Sequence, residues 1–465
     1  MTEPTAVTSE KKKRTRSVLS FLGSAVVASG LTYLLKEPQF TDSQLYVLFL
    51  LFFAIGLWVT EAIPAFAVSL FIIAYLVFTL GNPNFNSAAE KIDKYVNTFS
   101  SSIIWLLLGG FFMATAMTKT RLDEKLLSLT LKMSGTKPRN ILIALMFTTM
   151  LASMLMSNTA TTAMVVAALM PLLTSLGRSG ISKALLLGVA MAATIGGMGT
   201  IIGTPPNAIA AGILESRGIK MDFLRWILYG MPLAIALTAI SCFVLLKRYV
   251  KNNEPVSFAF LKNQPDEAPT AESTLRRKIV LVVIIVTILF WLTSSLHGIT
   301  VAAISAIPIV VLTLTGVLTN ADIKTLPWDT LLLVAGGLSL GVALESTGIM
   351  DHYAGQLKTM NVGPTVFIFI LAYATMIFSN IMSNSATSTV LIPLGMAIVT
   401  GFQSQIAVSI GLAASTALIL PVSTPPNAIV YSTGLLEQKD FRMGGILMGL
   451  LGPLLAVLWV LLISR

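Results

Sequence analysis

The sequence predicts an all-α polytopic membrane protein, with about eleven transmembrane helices plus two re-entrant hairpins in an inverted repeat. Three observations carry that expectation. Of 465 residues 55% are hydrophobic and only 11% charged, with a mean hydropathy of +0.83, against about 25% charged in soluble domains. A polar island, Met156-Ser157-Asn158-Thr159-Ala160-Thr161-Thr162, interrupts an apolar run and is rewritten at Met382-Ser383-Asn384-Ser385-Ala386-Thr387-Ser388. Thr204-Pro205-Pro206-Asn207-Ala208-Ile209 is matched letter for letter by Thr424-Pro425-Pro426-Asn427-Ala428-Ile429.

Taken in order, residues 1–16 read as a disordered cytoplasmic tail and 17–36 as an extra first transmembrane helix. The basic run Lys11-Lys12-Lys13-Arg14-Thr15-Arg16 marks the cytoplasmic side, because lysine and arginine collect there. Residues 37–250 form the first repeat. Its spans are expected near 44–60, 65–80 and 102–117, followed by a partly amphipathic interfacial segment over 119–140. The apolar arms around Asn158 are each too short to cross alone, so 140–176 reads as a hairpin. A broken helix follows at about 184–217. The paired prolines cannot continue a regular helix, so the break is expected at Pro205-Pro206. A further span lies near 226–246.

Residues 251–278, rich in Pro and ending in Arg276-Arg277-Lys278, form a cytoplasmic linker. Residues 279–465 repeat the pattern, with spans near 279–296, 300–318 and 328–344 and a hairpin at about 364–400. A broken helix at about 404–432 is expected to break from Pro421 onward, and the last span lies near 444–463. Gly336-Gly337 echoes Gly109-Gly110, and both pairs read as close helix packing. Each half holds an odd number of crossings, so the halves sit upside down relative to each other and the C-terminus falls outside. Inverted repeats with broken helices are the construction of secondary transporters.

Composition also excludes. The net charge of +10 is concentrated in a few loops, as membrane topology requires, so nucleic acid is not an expected partner and the lipid bilayer is. The lone Cys242 excludes a disulfide framework, and two histidines, His297 and His352, are too few for a His-based metal cluster. Ser157 has no evident His, Lys or Asp partner, so no nucleophilic enzyme is expected.

The repeated motifs are polar but neutral. Hydroxyl and amide oxygens, with carbonyls freed at a helix break, suit a small alkali cation. Helix N-termini suit an anion. With no Lys or Arg at the site, bound cations would supply the positive charge that an anion needs, and the two would bind dependently.

At Ser157-Asn158-Thr159, Ser383-Asn384-Ser385, Gly203-Thr204-Pro205-Pro206-Asn207 and Pro421-Val422-Ser423-Thr424-Pro425-Pro426-Asn427 the chain resembles the divalent anion/sodium symporter family. That resemblance implies a homodimer in a bacterial cytoplasmic (inner) membrane and a transport domain that moves like an elevator against a scaffold. It implies sodium, as two or more ions. One site would involve Ser153, Ser157, Asn158 and Gly203. The other would involve Ser379, Asn384 and, through carbonyls, Met382 and Ser423. Substrate carboxylates would meet Asn158, Thr159, Thr204, Pro205, Asn384, Ser385, Thr424 and Pro425. The second tip departs from the family's usual Ser-Asn-Thr by carrying Ser385. The expected function is sodium-coupled import of C4-dicarboxylates such as succinate, malate and fumarate. The alternatives are a sodium-independent exchanger of the same fold and a sodium-coupled citrate or sulfate carrier.

Overall fold

The computed structural model describes residues 4–86, 89–251, 255, 270–349, 352–353, 355, 362–399 and 401–464. Most of the expected linker 251–278 therefore lies outside the described residues, as does much of the stretch between the expected span near 328–344 and the hairpin at about 364–400. Among those described there is helix and no strand.

After the extra first helix α1 (Pro4–Leu35), the first half runs through α2 (Asp42–Thr60), α3 (Ala65–Thr79), α4 (Ser102–Lys119), α5 (Leu122–Ser134), α6 (Pro138–Ser153), α7 (Asn158–Leu176), α8 (Gly180–Gly197), α9 (Pro205–Ser216) and α10 (Phe223–Tyr249). The second runs through α11 (Ala271–Leu292), α12 (Val301–Leu314), α13 (Trp328–Ser346), α14 (Pro364–Ser379), α15 (Asn384–Ile398), α16 (Gln403–Ala414), α17 (Pro425–Ser432) and α18 (Gln438–Ile463). From α3 to α10 and from α12 to α18 the order is the same, apart from the interfacial α5. A short helix is followed by a long one, then a two-armed hairpin, a broken helix and a long closing helix.

Two expectations are corrected by local chemistry. The first helix begins at Pro4, so residues 4–16 continue α1 where a disordered tail was expected. The breaks also come earlier than the proline pairs. α8 stops at Gly197 and α16 at Ala414, whereas Pro205 and Pro425 open the following half-helices at their first position. Proline is suited to that position, where its missing N–H would have no intrahelical partner.

By length and composition, eight helices among the described residues are long and apolar enough to cross a membrane. They include α7, which was expected as a hairpin arm. Ala65–Thr79, Val301–Leu314 and Pro364–Ser379 are apolar but shorter. The interfacial segment forms α5, with Leu122, Leu127 and Leu131 buried and Leu126 and Leu129 exposed.

The repeats interlock. α3 packs on α13 and α12 packs on α4, each pair joining opposite halves. The paired glycines make those contacts possible. A Cβ on Gly109 would fall 2.9 Å from Ser305 Cβ on α12, and one on Gly336 would strike Ser69 on α3. Further along, α17 lies on α7 and α8, while α9 lies on α15 and α16. The half-helix after each break thus rests against the other repeat's hairpin or broken helix.

Candidate functional site

The first tip is a four-residue reversal, Met154 to Ser157, between α6 and α7. Ser157 has extended backbone, and its hydroxyl oxygen accepts the Ala160 N–H at 3.2 Å, capping α7. The Asn158 and Thr159 N–H groups stand at the positive end of that helix, without intrahelical partners. One turn back, the Ser153 Oγ is 2.7 Å from Asn158 Oδ1 and 2.7 Å from the Ala193 carbonyl oxygen. A hydroxyl has one proton to give, so Ser153 serves one of those two acceptors at a time. Three oxygens converge there, and Ser153 is fully buried.

The break in the first repeat is folded around that cluster. Asn207 donates its amide N–H groups to the Gly197 carbonyl at 2.9 Å and the Thr200 carbonyl at 2.7 Å. This side chain replaces the hydrogen bonds that the broken helix gives up. Thr200 donates to the Met154 carbonyl at 2.5 Å, tying the break to the tip. Gly197 is required here, since a Cβ on it would fall 2.5 Å from Asn158 Oδ1. A Cβ on Gly203 would in turn strike the Gly197 carbonyl oxygen. Ser153, Asn158 and Gly203 therefore meet through Gly197.

The second tip uses the same frame with different partners. Ser383 accepts the Ala386 N–H at 3.2 Å, capping α15. Asn427 donates to the Leu420 carbonyl at 2.9 Å and the Leu418 carbonyl at 3.3 Å, matching Asn207. The tie between tip and break comes from Asn380. Its Oδ1 accepts the Ser423 hydroxyl at 2.7 Å and the Ile419 N–H at 3.1 Å, and its amide donates to the Met376 carbonyl at 2.8 Å. Ser423 Oγ also accepts the Leu420 N–H at 3.0 Å. Meanwhile the Ser379 hydroxyl and the Asn384 Oδ1 are buried without a hydrogen-bond partner among the described residues. Leaving a buried polar group unpaired costs about 1–3 kcal/mol, so both oxygens are open to a further partner.

The remaining residues expected at the site flank these two clusters. Thr204 is buried at the start of α9 without a capping hydrogen bond from its side chain, and Pro205 follows it. Thr424 Oγ1 accepts the Asn427 N–H at 3.3 Å, and Pro425 is exposed. Thr159 is exposed, Ser385 is buried, and Met382 is half-buried. Sequence reasoning missed Asn380, although an Asn following Ser379 stands where the first tip has Met154. It also missed Gly197, whose counterpart in the second repeat is Ala417. No group of three His, Cys, Asp or Glu side chains that would hold a transition metal occurs among the described residues. The oxygens present are neutral and hard, a set that fits an alkali cation better than zinc or copper.

Two repeats that interlock through hairpins and broken helices, with neutral oxygens gathered at the breaks, define a helical membrane transporter. The pattern of the citrate transporter family, CitMHS, matches residues 55–408, and the chain belongs to that family. It is accordingly a transporter and not an enzyme. The sodium-dependent dicarboxylate transporter SdcS of Staphylococcus aureus strain USA300 is 27% identical over 97% of this chain and 92% of its own length. The SdcS of the bovine strain RF122 / ET3-1 is 28% identical over the same shares. Among solved structures, the YdaH transporter of Alcanivorax borkumensis aligns with a TM-score of 0.52 at 15% identity, covering 86% of this chain and 97% of that one. MtrF of Neisseria gonorrhoeae gives 0.53 at 16% identity, covering 86% and 94%. Those two likenesses speak to the fold alone.

Proposed function

We propose that the protein imports C4-dicarboxylates together with sodium by alternating access. The observation that carries this reading is the oxygen set at the two tips. Ser153, Asn158 and the Ala193 carbonyl converge with one hydroxyl proton among them. Ser379 and Asn384 keep buried oxygens without partners among the described residues. A sodium ion at each cluster would satisfy these acceptors and bring positive charge to a site with no Lys or Arg.

The dicarboxylate would lie between the tips. One carboxylate would meet the N-terminus of α7 at Asn158 and Thr159, and the other that of α15 at Asn384 and Ser385. Thr204-Pro205 and Thr424-Pro425 would close the flanks. Ser157, Gly203, Met382 and Ser423 would complete the cation shells. Cation and anion then bind dependently, which is what coupling requires. The names of the SdcS relatives support both the sodium and the dicarboxylate.

Movement would be of the elevator kind. The hairpins and broken helices would travel against a scaffold that includes α3, α4, α12 and α13, in a homodimer of the inner membrane with its N-terminus cytoplasmic. Uptake of radiolabelled succinate into proteoliposomes tests the reading. An inward sodium gradient should drive accumulation. Equal uptake with potassium in place of sodium, or uptake only against a preloaded dicarboxylate, would replace it with an exchanger.

A further inference from the structure

Away from both tips, the starts of α8 and α18 meet the end of α10 around an open cavity of about 550 Å3. Lys183, Arg248, Lys251 and Lys439 line it, against a single carboxylate, Asp440. Such an excess is built rather than incidental. Gly180 lets α8 touch the end of α10, since a Cβ there would fall 2.5 Å from the Tyr249 carbonyl oxygen. That contact brings Lys183 beside the basic end of α10.

Asp440 does not neutralise the cavity. It is buried and already committed, taking Lys183 Nζ at 3.0 Å on Oδ1 and 2.9 Å on Oδ2. Its Oδ2 also accepts the Glu437 N–H at 2.8 Å. The carboxylate therefore pins Lys183 as part of the wall. Lys439 pairs with Glu437 at 2.6 Å, with both side chains well exposed, and an exposed pair of that kind is weak enough for a better anion to displace. Among the described residues, Arg248 and Lys251 have no ion pair with a carboxylate. The N-terminal ends of α8 and α18 add partial positive charge.

The cavity's depth points to the ligand. Lys247, next to Arg248, folds back so that its Nζ lies 4.5 Å from the centre of the Phe243 ring. Phe243 is itself exposed on α10, one of the apolar spanning helices. A lysine reaching along its own helix from an exposed aromatic is the behaviour of a side chain at a membrane boundary. Basic pockets between helices at that level suit phosphate headgroups.

We propose that this cavity binds the phosphate of an anionic lipid, held by Arg248, Lys251 and Lys439 against the wall that Lys183 and Asp440 form. The site is separate from the transport reading but mechanically close to it. Tyr249 and Asp440 also border a small void of about 10 Å3 with Leu418 and Asn427, which belong to the second break. α10 braces the first break as well, with Trp226 Nε1 donating to the Met198 carbonyl at 3.0 Å. A lipid at the cavity clasps the helices that support both breaks.

The test is a thermal-shift titration of purified, delipidated protein with short-chain phosphatidylglycerol. Phosphatidylcholine of the same chain length and inorganic phosphate form the other arms. Phosphatidylglycerol should stabilise the protein at concentrations where the other two do not. The triple variant Arg248→Gln, Lys251→Gln, Lys439→Gln should need roughly tenfold more of it, and Arg248→Lys should restore much of the response. Lys183 is left intact so that Asp440 keeps its partner. The unliganded melting temperature of the triple variant should stay close to that of the parent, which separates lost binding from lost folding. Equal responses to phosphatidylglycerol and phosphatidylcholine would overturn the proposal, as would an unchanged titration in the triple variant. Full stabilisation by inorganic phosphate alone would overturn the lipid as its source.

Discussion

The two repeats share a scaffold of contacts and differ in how each tip is tied to its break. In the first, Thr200 of the break reaches the Met154 carbonyl, and Ser153 closes directly on Asn158. In the second, Asn380 of the tip reaches Ser423 and Ile419 of the break, while the Ser379 and Asn384 oxygens have no hydrogen-bond partner among the described residues. The Asn207 and Asn427 braces are common to both. Repetition has thus preserved the device that holds a helix open and let the polar partners at the tips diverge. Two similar frames with unequal polar partners should bind their cations with unequal strength, the second gaining more because its oxygens begin unpaired.

Four sets of substitutions would break or sharpen that comparison. The largest effect is expected from Asn158→Ala and Asn384→Ala. Each should reduce sodium-driven succinate uptake to background while the protein still elutes as a folded species; parental uptake in both would remove them from the site. Gly197→Ala comes next, because its methyl must displace the Asn158 amide. Overpacking of that kind costs about 1–3 kcal/mol, and sodium-dependent uptake should fall by roughly tenfold. Ala417→Gly, at the matching position, should change uptake little.

Asn380→Leu should have an intermediate effect. It strands the Ser423 hydroxyl and the Ile419 N–H, a loss of about 1–3 kcal/mol, read as a lower melting temperature and a higher sodium concentration for half-maximal uptake. The mildest pair is Ser157→Ala and Ser383→Ala. Each removes a helix cap worth about 1 kcal/mol and should lower the melting temperature by similar amounts in the two repeats. A much larger loss of uptake for Ser157→Ala would mark its hydroxyl as a cation ligand beyond its capping role.

Much of this architecture was legible in the chain. Two copies of Thr-Pro-Pro-Asn-Ala-Ile, in order behind two Ser-Asn motifs, announced the repeated order of helices. The exact ends of the broken helices were not legible. Proline was read as a terminator, whereas Pro205 and Pro425 start the next half-helices and the break is held by Asn207 and Asn427. That arrangement depends on a side chain reaching back 7 and 10 residues in the first repeat, which no local pattern encodes. Gly109 and Gly336 were recognisable as packing positions, but their partners Ser305 and Ser69 lie in the opposite repeat. Asn380 was hidden for the same reason, since its partners arrive some 40 residues later in the chain. The helical tail was missed because a basic run reads as solvated, although it continues the register of α1.

The central claim is that neutral oxygens at the two tips hold cations, and that those cations make anion binding possible. Calorimetric titration of succinate into the purified protein, at a series of sodium concentrations balanced with choline, tests it most directly. Succinate affinity should rise steeply with sodium, and sodium affinity should rise by the same factor when succinate is present. Succinate binding of equal strength in choline alone would contradict the account.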